Sequence, residues 1–284
     1  MARARGEEDT MSYATLMVHV DVDGDMGGRV NVAAELTDRF SANLIGVAGW
    51  APISVFLAEE ALNDPSPGES HLQDMKALLD QKGLQFRAAV GTGGRPVEWR
   101  SVLDFPTEVV AREARAADLV IIGNAPENRD PFRALDPGSL VLKAGRPVLV
   151  VPKAVSSLTL RHIAIAWKDA REARRAVRDA LPLLQQAESV MIVEIFEQGD
   201  RNQAMHGVKD VASYLRRHGI DIIAERVRDA EAGATEALLR LVRDENINLI
   251  VAGAYGQSRL GEWAYGGVTR GLLAESPICC LFSH

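Results

Sequence analysis

The segment that decides the fold is Asn246-Ile247-Asn248-Leu249-Ile250-Val251-Ala252-Gly253-Ala254-Tyr255-Gly256, continued by Gly266-Gly267-Val268-Thr269-Arg270. Its apolar, β-branched run predicts a buried strand, its glycines predict a loop, and the next segment predicts a helix that begins at Gly267 or Val268. In an open parallel sheet, such a unit places free backbone N–H groups and the positive end of a helix dipole at the carboxyl edge of the strands. This edge favours an anionic ligand, and phosphate is the natural candidate.

The glycines of this segment have a specific spacing: Gly253, two residues, Gly256, nine residues, Gly266, and then a small residue at 267. This spacing resembles the nucleotide-binding loop of the universal stress protein family, Gly-x2-Gly-x9-Gly followed by Ser or Thr. Gly267 departs from the pattern because it replaces the hydroxyl residue, which removes a phosphate-binding side chain and leaves the backbone donor. Thr269 could supply a hydroxyl from the first helical turn. The alternative is a loop that is rich in glycine only for its turns.

Composition excludes several function classes. The chain has 284 residues, is 47% hydrophobic and carries a net charge of −7, without a basic stripe, so we expect an ordered protein that does not bind nucleic acid. Its apolar runs have the length of strands, which predicts a soluble protein with no membrane partner. Residues 1–10 lack the apolar core of a signal peptide and are predicted to be a disordered extension, which leaves the cytoplasm as the expected location.

Both cysteines of the chain, Cys279 and Cys280, lie next to each other in the last apolar run. Neighbouring residues of a strand point to opposite faces, so this pair is poorly placed for a disulfide and lacks the spacing of a metal site. We expect both to be small buried core residues.

The chain repeats its strand pattern, with an offset near 147 residues for the first two strands and near 131 for the last two. The difference is mostly an insertion at residues 51–70, which is absent from the second half. We therefore predict a first domain at 11–153, a linker at 153–159 and a second domain at 160–284. The predicted strands of the first half are 15–21, 43–50, 84–90, 118–123 and 146–152, and those of the second half are 161–167, 189–196, 221–227, 248–253 and 277–282.

The segment between the second and fourth strands is the least regular part of the first half. Prolines and a glycine predict a long connection at 51–70, followed by a helix over about 71–82 and the third strand. The cluster Gly91-Thr92-Gly93-Gly94-Arg95-Pro96 looks like a phosphate loop. Pro96 and the absence of a following Lys-Ser/Thr exclude a P-loop, so we interpret the cluster as a turn before a helix at 107–116.

Alternating strands and helices predict an α/β fold with right-handed crossovers. The resemblance to universal stress proteins covers both halves. It implies two doubly wound, five-stranded parallel sheets with strand order 3-2-1-4-5, as in the adenine nucleotide alpha hydrolase-like fold. In that order the ligand crevice lies at the carboxyl ends of strands 1 and 4 of each half.

The resemblance implies that the two crevices are complementary in what they retain. Asp21 matches the nucleotide-contacting aspartate of the family in the first half, where Pro126 replaces the second loop glycine and removes an N–H donor. Lys168 stands at the aspartate position of the second half, which keeps the glycine loop and its freedom to adopt positive φ. The residues predicted to bind nucleotide are Ala166, Trp167, Lys168, Gly253, Gly256, Arg259, Gly266, Gly267, Val268 and Thr269.

Three charged or titratable residues carry separate expectations. Glu194 ends a strand beside that of Lys168, where it would either form a structural ion pair or oppose a polyphosphate. His19 lies in a central strand and is interpreted as a hydrogen-bonded core residue. Arg259, within the glycine loop, is the best-placed cation for phosphate, although loop arginines are often merely solvated.

The sequence contains no Gly-x-Ser-x-Gly, His-Glu-x-x-His or Cys-x-x-Cys motif, which favours binding over catalysis. The resemblance implies a bacterial stress-response protein that binds ATP or another adenine nucleotide, with Mg²⁺, mainly in its second domain. A nucleotide-free interaction module with vestigial crevices is the alternative, and a weak ATPase is a third. We further predict that the apolar final strands pair antiparallel, so that the halves form an intramolecular pseudo-dimer. A homodimer is common for the family.

Overall fold

The protein was analysed as a computed structural model, which describes residues 12–24, 26–52, 66–91, 94–124, 130–196, 199–230, 233–256 and 267–284. In the first half the strands are β1 Thr15–His19, β2 Asn43–Gly49, β3 Val97–Val102, β4 Leu119–Gly123 and β5 Val148–Val151. Its helices are α1 Gly27–Phe40, α2 Ser66–Val90, α3 Pro106–Glu113 and α4 Pro137–Lys143, with a 3-10 turn at Ala114–Ala116.

The second half repeats the alternation of strands and helices. Its strands are β6 His162–Trp167, β7 Ser189–Phe196, β8 Ile223–Asp229, β9 Leu249–Gly253 and β10 Cys279–Ser283. Its helices are α5 Arg171–Asp179, α6 Leu181–Leu184, α7 Arg201–Arg216, α8 Ala234–Asp244 and α9 Gly267–Glu275.

The strands form one ten-stranded sheet with the order β3-β2-β1-β4-β5-β10-β9-β6-β7-β8. Each half therefore has the predicted order 3-2-1-4-5. The two predicted five-stranded parallel sheets are joined into one, because β5 and β10 pair antiparallel, with Leu149 opposite Leu281. The expected antiparallel pairing of the final strands is confirmed. It satisfies two sheet edges that would otherwise each expose a row of unpaired backbone groups.

Helices cover both faces of this sheet. Buried side chains of α1, α5, α6 and α7 belong to one apolar layer, together with Leu16, Val18, Ile163 and Leu281. Buried side chains of α3, α4 and α8 belong to the other, together with Phe282. Alternate residues of each strand thus enter opposite layers, which explains why the strands are apolar almost without interruption.

The predicted third strand at 84–90 is wrong, because these residues form the end of α2. Phe86 is fully buried and Leu84 is 70% exposed, whereas a strand would place both side chains on one face. Met75, Leu79 and Phe86 keep helical spacing and are all buried. The third strand is β3, so the segment predicted to be a glycine-rich turn before a helix precedes a strand.

The predicted linker packs on the first half. Glu35 Oε2 accepts hydrogen bonds from Ser157 Oγ at 3.0 Å and from the Leu158 backbone N–H at 3.1 Å. Leu158 and Leu160 are buried in the apolar layer that contains α1. The segment between the halves is therefore fixed to the core, in contrast to a solvated tether.

Candidate functional site

Two crevices lie at the same structural position in the two halves. The chain reverses direction across the sheet between β1 and β4 and again between β6 and β9. In doubly wound sheets, ligands bind outside the carboxyl ends of the strands at such a reversal. The first crevice is bounded by Asp21 and Gly123, and the second by Trp167, Lys168 and Gly253.

The second crevice is built from the end of β6, the loop after β9 and the start of α9. Ala166 and Trp167 end β6, with Lys168 exposed directly after them. Gly253 ends β9, Gly256 is exposed in the loop, and Gly267, Val268 and Thr269 form the first turn of α9. Arg259 and Gly266 lie outside the described residues, as does Pro126 of the first half, so their predicted roles stay predictions.

Thr269 connects the loop to the helix. Its hydroxyl accepts the backbone N–H of Tyr255 at 3.3 Å, and the residue is only 4% exposed. Tyr255 has a positive φ of 53°, which turns the chain between Gly253 and Gly256. The Thr269 hydroxyl therefore stabilises the loop instead of facing the crevice.

Close packing, and not positive φ, explains Gly253 and Gly256 of the second crevice. Gly253 and Gly256 are absent from the described residues that have positive φ. A Cβ atom at Gly253 would collide with the backbone of α5 at Glu172 and Ala173, and one at Gly256 would lie 3.2 Å from Glu172 Oε2. The sequence argument that these positions need left-handed backbone is corrected accordingly.

Glu172 is a residue of the second crevice that the sequence analysis missed. It is 2% exposed, and its carboxylate accepts a hydrogen bond from Arg171 Nε at 2.5 Å. Burial raises the pKa of Glu172, but the hydrogen bonds from Arg171 and from its own backbone N–H outweigh burial, so the net pKa lies below its usual value. An ionised acid therefore lies beneath Gly256. Glu172 lies in the first turn of α5, where the helix dipole stabilises an acid, and this position is the sequence feature that could have indicated it.

The side chains of Trp167 and Lys168 lie in different environments, one buried and one exposed. The Trp167 side chain is 7% exposed, and a Cβ atom at Gly207 of α7 would lie 3.3 Å from its Nε1. Its indole is therefore part of the core, and only its backbone borders the crevice. Trp167 pairs with Glu194 across β6 and β7, which places Glu194 near Lys168.

Glu194 lies near Lys168 without forming a close ion pair with it. Burial raises the pKa of Glu194, Lys168 lowers it and Asp169 raises it, so the net pKa lies above its usual value. No ion pair within 4.0 Å joins Lys168 and Glu194, both of which belong to the described part of the chain. Lys168 is thus left exposed and uncommitted at the crevice.

The first crevice contains a buried arginine. Arg29 of α1 is 8% exposed, and its Nη2 donates to Asp21 Oδ2 at 2.7 Å. His19 Nδ1 lies 3.5 Å from the other Asp21 oxygen. Burial raises the pKa of Asp21, but His19, Arg29 and Lys82 together lower it more, so Asp21 is ionised. Asp21 is therefore a counter-ion for side chains of the chain itself.

His19 is a core residue, as expected, because it is 1% exposed. The expectation that it is fully hydrogen-bonded is wrong for the residues that the structure describes, since none of them bonds to its Nε2. The buried ring is neutral, and one of its two nitrogens makes no hydrogen bond to the described residues.

His19 should make the protein less stable in mild acid. Burial lowers the pKa of His19 to about 4, although Asp21 raises it, and Arg29 lowers it further. Because a histidine of the unfolded chain titrates near pH ~6.5, the unfolded state binds a proton between roughly pH 6.5 and 4 that the folded state does not bind. The free energy of unfolding should fall by about 2 kcal/mol between pH 7 and pH 5 from this residue.

Urea denaturation of the wild type and of His19→Gln at both pH values measures this contribution. The variant should lose about 2 kcal/mol less than the wild type on acidification. Equal losses in the two proteins would contradict a buried, neutral His19.

The cysteines, the metal-binding types of side chain and the helices of the described residues indicate no further site. Cys279 and Cys280 are free and buried, as expected. Over the described ranges, His, Cys, Asp and Glu form no cluster of three or more that could hold a metal ion. None of the described helices combines the length and apolar character needed to cross a bilayer.

Solved structures share this architecture over nearly the whole chain. A universal stress protein from Archaeoglobus fulgidus is 13% identical with a TM-score of 0.66, and the match covers 95% of this chain and 97% of that chain. A functionally unknown protein from Pseudomonas aeruginosa is 13% identical with a TM-score of 0.58, covering 95% and 92%. No model of a known protein family matches the sequence, and no curated protein does. The chain therefore has the fold of the universal stress proteins, an adenine nucleotide alpha hydrolase-like α/β fold, in both of its halves.

Proposed function

We propose that this chain is a cytoplasmic stress-response protein that binds ATP or another adenine nucleotide in its second half. The observation that carries the proposal is the open start of α9: a Cβ atom at Gly267 would have no other atom of the described residues within 4 Å. The fold supports it, since solved structures of the same architecture include a universal stress protein. The adenine nucleotide itself is what the glycine spacing of the second half implies.

The electrostatics of the second crevice suit a phosphate at the start of α9. The first backbone N–H groups of a helix lack partners within the helix, and the dipole there favours an anion by about 0.3–1 kcal/mol. Lys168 adds an exposed cation at the end of β6. Glu172 acts in the opposite direction, because its ionised carboxylate lies beneath Gly256. The phosphates are therefore best placed on the side of Lys168 and Gly267, away from α5.

Mg²⁺ would be held chiefly by the phosphates. The described residues provide no cluster of three His, Cys, Asp or Glu side chains for a metal ion. A magnesium ion that keeps several waters and binds through nucleotide phosphates needs no such cluster. We assign no hydrolytic step to the site, because among the described residues of the second crevice the one buried carboxylate, Glu172, is already paired with Arg171.

The proposal predicts that purified protein binds ATP with a stoichiometry of one. Gly256→Pro should weaken the binding about 10- to 100-fold, because proline removes a backbone N–H that can donate to a charged phosphate. Isothermal titration with ATP and Mg²⁺ measures this, and circular dichroism checks that the variant is folded. Asp21→Asn, in the other crevice, is the control and should leave the affinity for ATP within about twofold.

A nucleotide-free interaction module remains the second candidate. The buried Glu172 beneath Gly256 favours it, because a fixed acid at a phosphate loop opposes a polyphosphate. The same titration separates the two functions. Absence of heat with ATP, ADP and AMP, together with no nucleotide released on denaturing freshly purified protein, would replace the nucleotide proposal with this one.

The assembly is proposed from the same geometry. The two halves act as an intramolecular pseudo-dimer through β5 and β10, with domains at 11–153 and 160–284. A further homodimer would not extend the sheet, since the outer strands β3 and β8 carry charged residues such as Glu98, Arg100 and Arg228.

A further inference from the structure

Arg29 fills the first crevice at the point where the strand order reverses. Its guanidinium reaches from α1 across the carboxyl edge of the sheet, with Nη2 on Asp21 after β1 and Nη1 against Gly123 at the end of β4. A Cβ atom at Gly123 would lie 2.5 Å from Nη1, and within the described part of the chain only atoms of Arg29 would lie within 4 Å of it. The absence of a side chain at Gly123 therefore makes room for Arg29.

No described residue of the second half occupies the equivalent position to this arginine. There the backbone of α5 itself approaches Gly253, so the helix closes on the strand without an intervening side chain. Lys168 takes the place of Asp21, so the strand end carries a cation instead of an acid. The two crevices are thus closed by different groups, the first by the Arg29–Asp21 pair and the second by the backbone of α5.

We propose that the first crevice is a guanidinium-binding site occupied in cis by Arg29, and that this occupancy closes it to nucleotide. The site provides the Asp21 carboxylate as acceptor and a flat wall at Gly123 that admits a planar group. The turn after β1 holds the carboxylate in place, because a Cβ atom at Gly24 would lie 3.1 Å from Asp21 Cβ. Lys82, whose Nζ lies 3.5 Å from the Gly24 carbonyl, is a second cation near this turn.

Sequence and structure give different reasons why the first half should not bind nucleotide. Pro126 was expected to prevent nucleotide binding by removing a donor, whereas Arg29 prevents it by occupying the space. The two explanations predict different behaviour when Arg29 is removed. The inference does not depend on nucleotide binding in the second half.

Chemical rescue of Arg29→Ala tests the site directly. N-ethylguanidinium contains every atom that this substitution removes beyond Cβ. The variant should melt about 5–10 °C below the wild type, because Asp21 loses its buried partner. N-ethylguanidinium at about ten times its Kd should then raise the melting temperature by about 3–6 °C.

Two controls make the rescue specific. Propylammonium carries the same charge without the planar fork and should restore about half as much or less. Arg29→Ala combined with Asp21→Asn should not respond to N-ethylguanidinium, because the acceptor charge is gone. Equal recovery with both cations, or recovery without the Asp21 charge, would overturn the assignment.

A suppressor pair tests the occupancy independently. Gly123→Ala should lower the melting temperature of the wild type by several degrees, because the new methyl group displaces Arg29 from Asp21. In the Arg29→Ala background the same change should cost nothing further, since no other described residue comes within 4 Å of that methyl group. Gly253→Ala is the matched control and should destabilise both backgrounds equally. An equal cost of Gly123→Ala in both backgrounds would refute the occupancy.

ATP titration completes the test in a Gly256→Pro background, where ATP binding by the second half is weakened. Arg29→Ala should then bind ATP in the first crevice, because the substitution vacates the space that Arg29 occupies, and N-ethylguanidinium should compete with that binding. Failure of the Arg29→Ala variant to bind ATP more tightly than the Gly256→Pro protein would show that Arg29 does not close the crevice and would overturn the proposal.

Discussion

Phe86→Ala should lower the free energy of unfolding by about 3–5 kcal/mol, because it removes a large side chain from a filled core. The Phe86 ring is fully buried against β2, where a Cβ atom at Gly46 would lie 2.5 Å from its Cε1. It also packs on Trp99 of β3, with ring centroids 5.6 Å apart. The surrounding strands are fixed by their hydrogen-bond ladders and cannot close over the resulting cavity.

Leu84→Ala provides the matched control. Leu84 is 70% exposed, so its loss should change stability by no more than about 0.5 kcal/mol. Urea denaturation of both variants at pH 7 measures the two effects. If residues 84–90 formed the strand that the sequence suggests, both side chains would share a face, and the two variants would lose similar amounts of stability.

Phe282→Ala should also cost about 3–5 kcal/mol and should destabilise both halves together. Phe282 is fully buried at the junction of the halves, where it lies opposite Val148 in the antiparallel pair of β5 and β10. Since the sheet continues through this junction, we expect the halves to unfold in one cooperative transition. Phe105→Ala deletes the same atoms at a 42% exposed position and should cost about 1 kcal/mol.

Single-tryptophan variants separate the halves in this experiment. A protein that keeps only Trp99 reports on the first half, and one that keeps only Trp167 reports on the second. The fluorescence midpoints in urea should coincide, and Phe282→Ala should shift both by the same amount. Two distinct midpoints, with only the Trp167 signal affected, would show that the junction does not couple the halves.

The sequence by itself determined the organisation of each half. The apolar run at 249–253, the glycines after it and the repeat offset predicted the strands and helix starts, which the structure contains apart from the predicted strand at 84–90, and the resemblance to universal stress proteins implied the observed order 3-2-1-4-5. These features are local or periodic, so they can be read from neighbouring residues. The apolar character of 148–151 and 278–282 also predicted the antiparallel contact, because two such edges are costly to leave exposed.

For residues 84–90 the sequence pattern predicted the wrong element, a strand instead of a helix. Leu84, Phe86 and Val90 alternate like a strand, and helical spacing becomes evident only when Met75 and Leu79 are included. The packing of Phe86 against Gly46 favoured the helix. A short apolar pattern that fits both periods is therefore decided by what it packs against.

Only the tertiary structure decided what occupies the two crevices. Arg29 and Gly123 are far apart in the chain, and no spacing indicates that the guanidinium lies against that glycine. Glu172 likewise reaches Gly256 across the sheet edge, so an unremarkable helix-start acid becomes a buried charge at a predicted phosphate loop. Periodicity determines which face a residue occupies, whereas the reach of a long charged side chain depends on the space that distant glycines leave open.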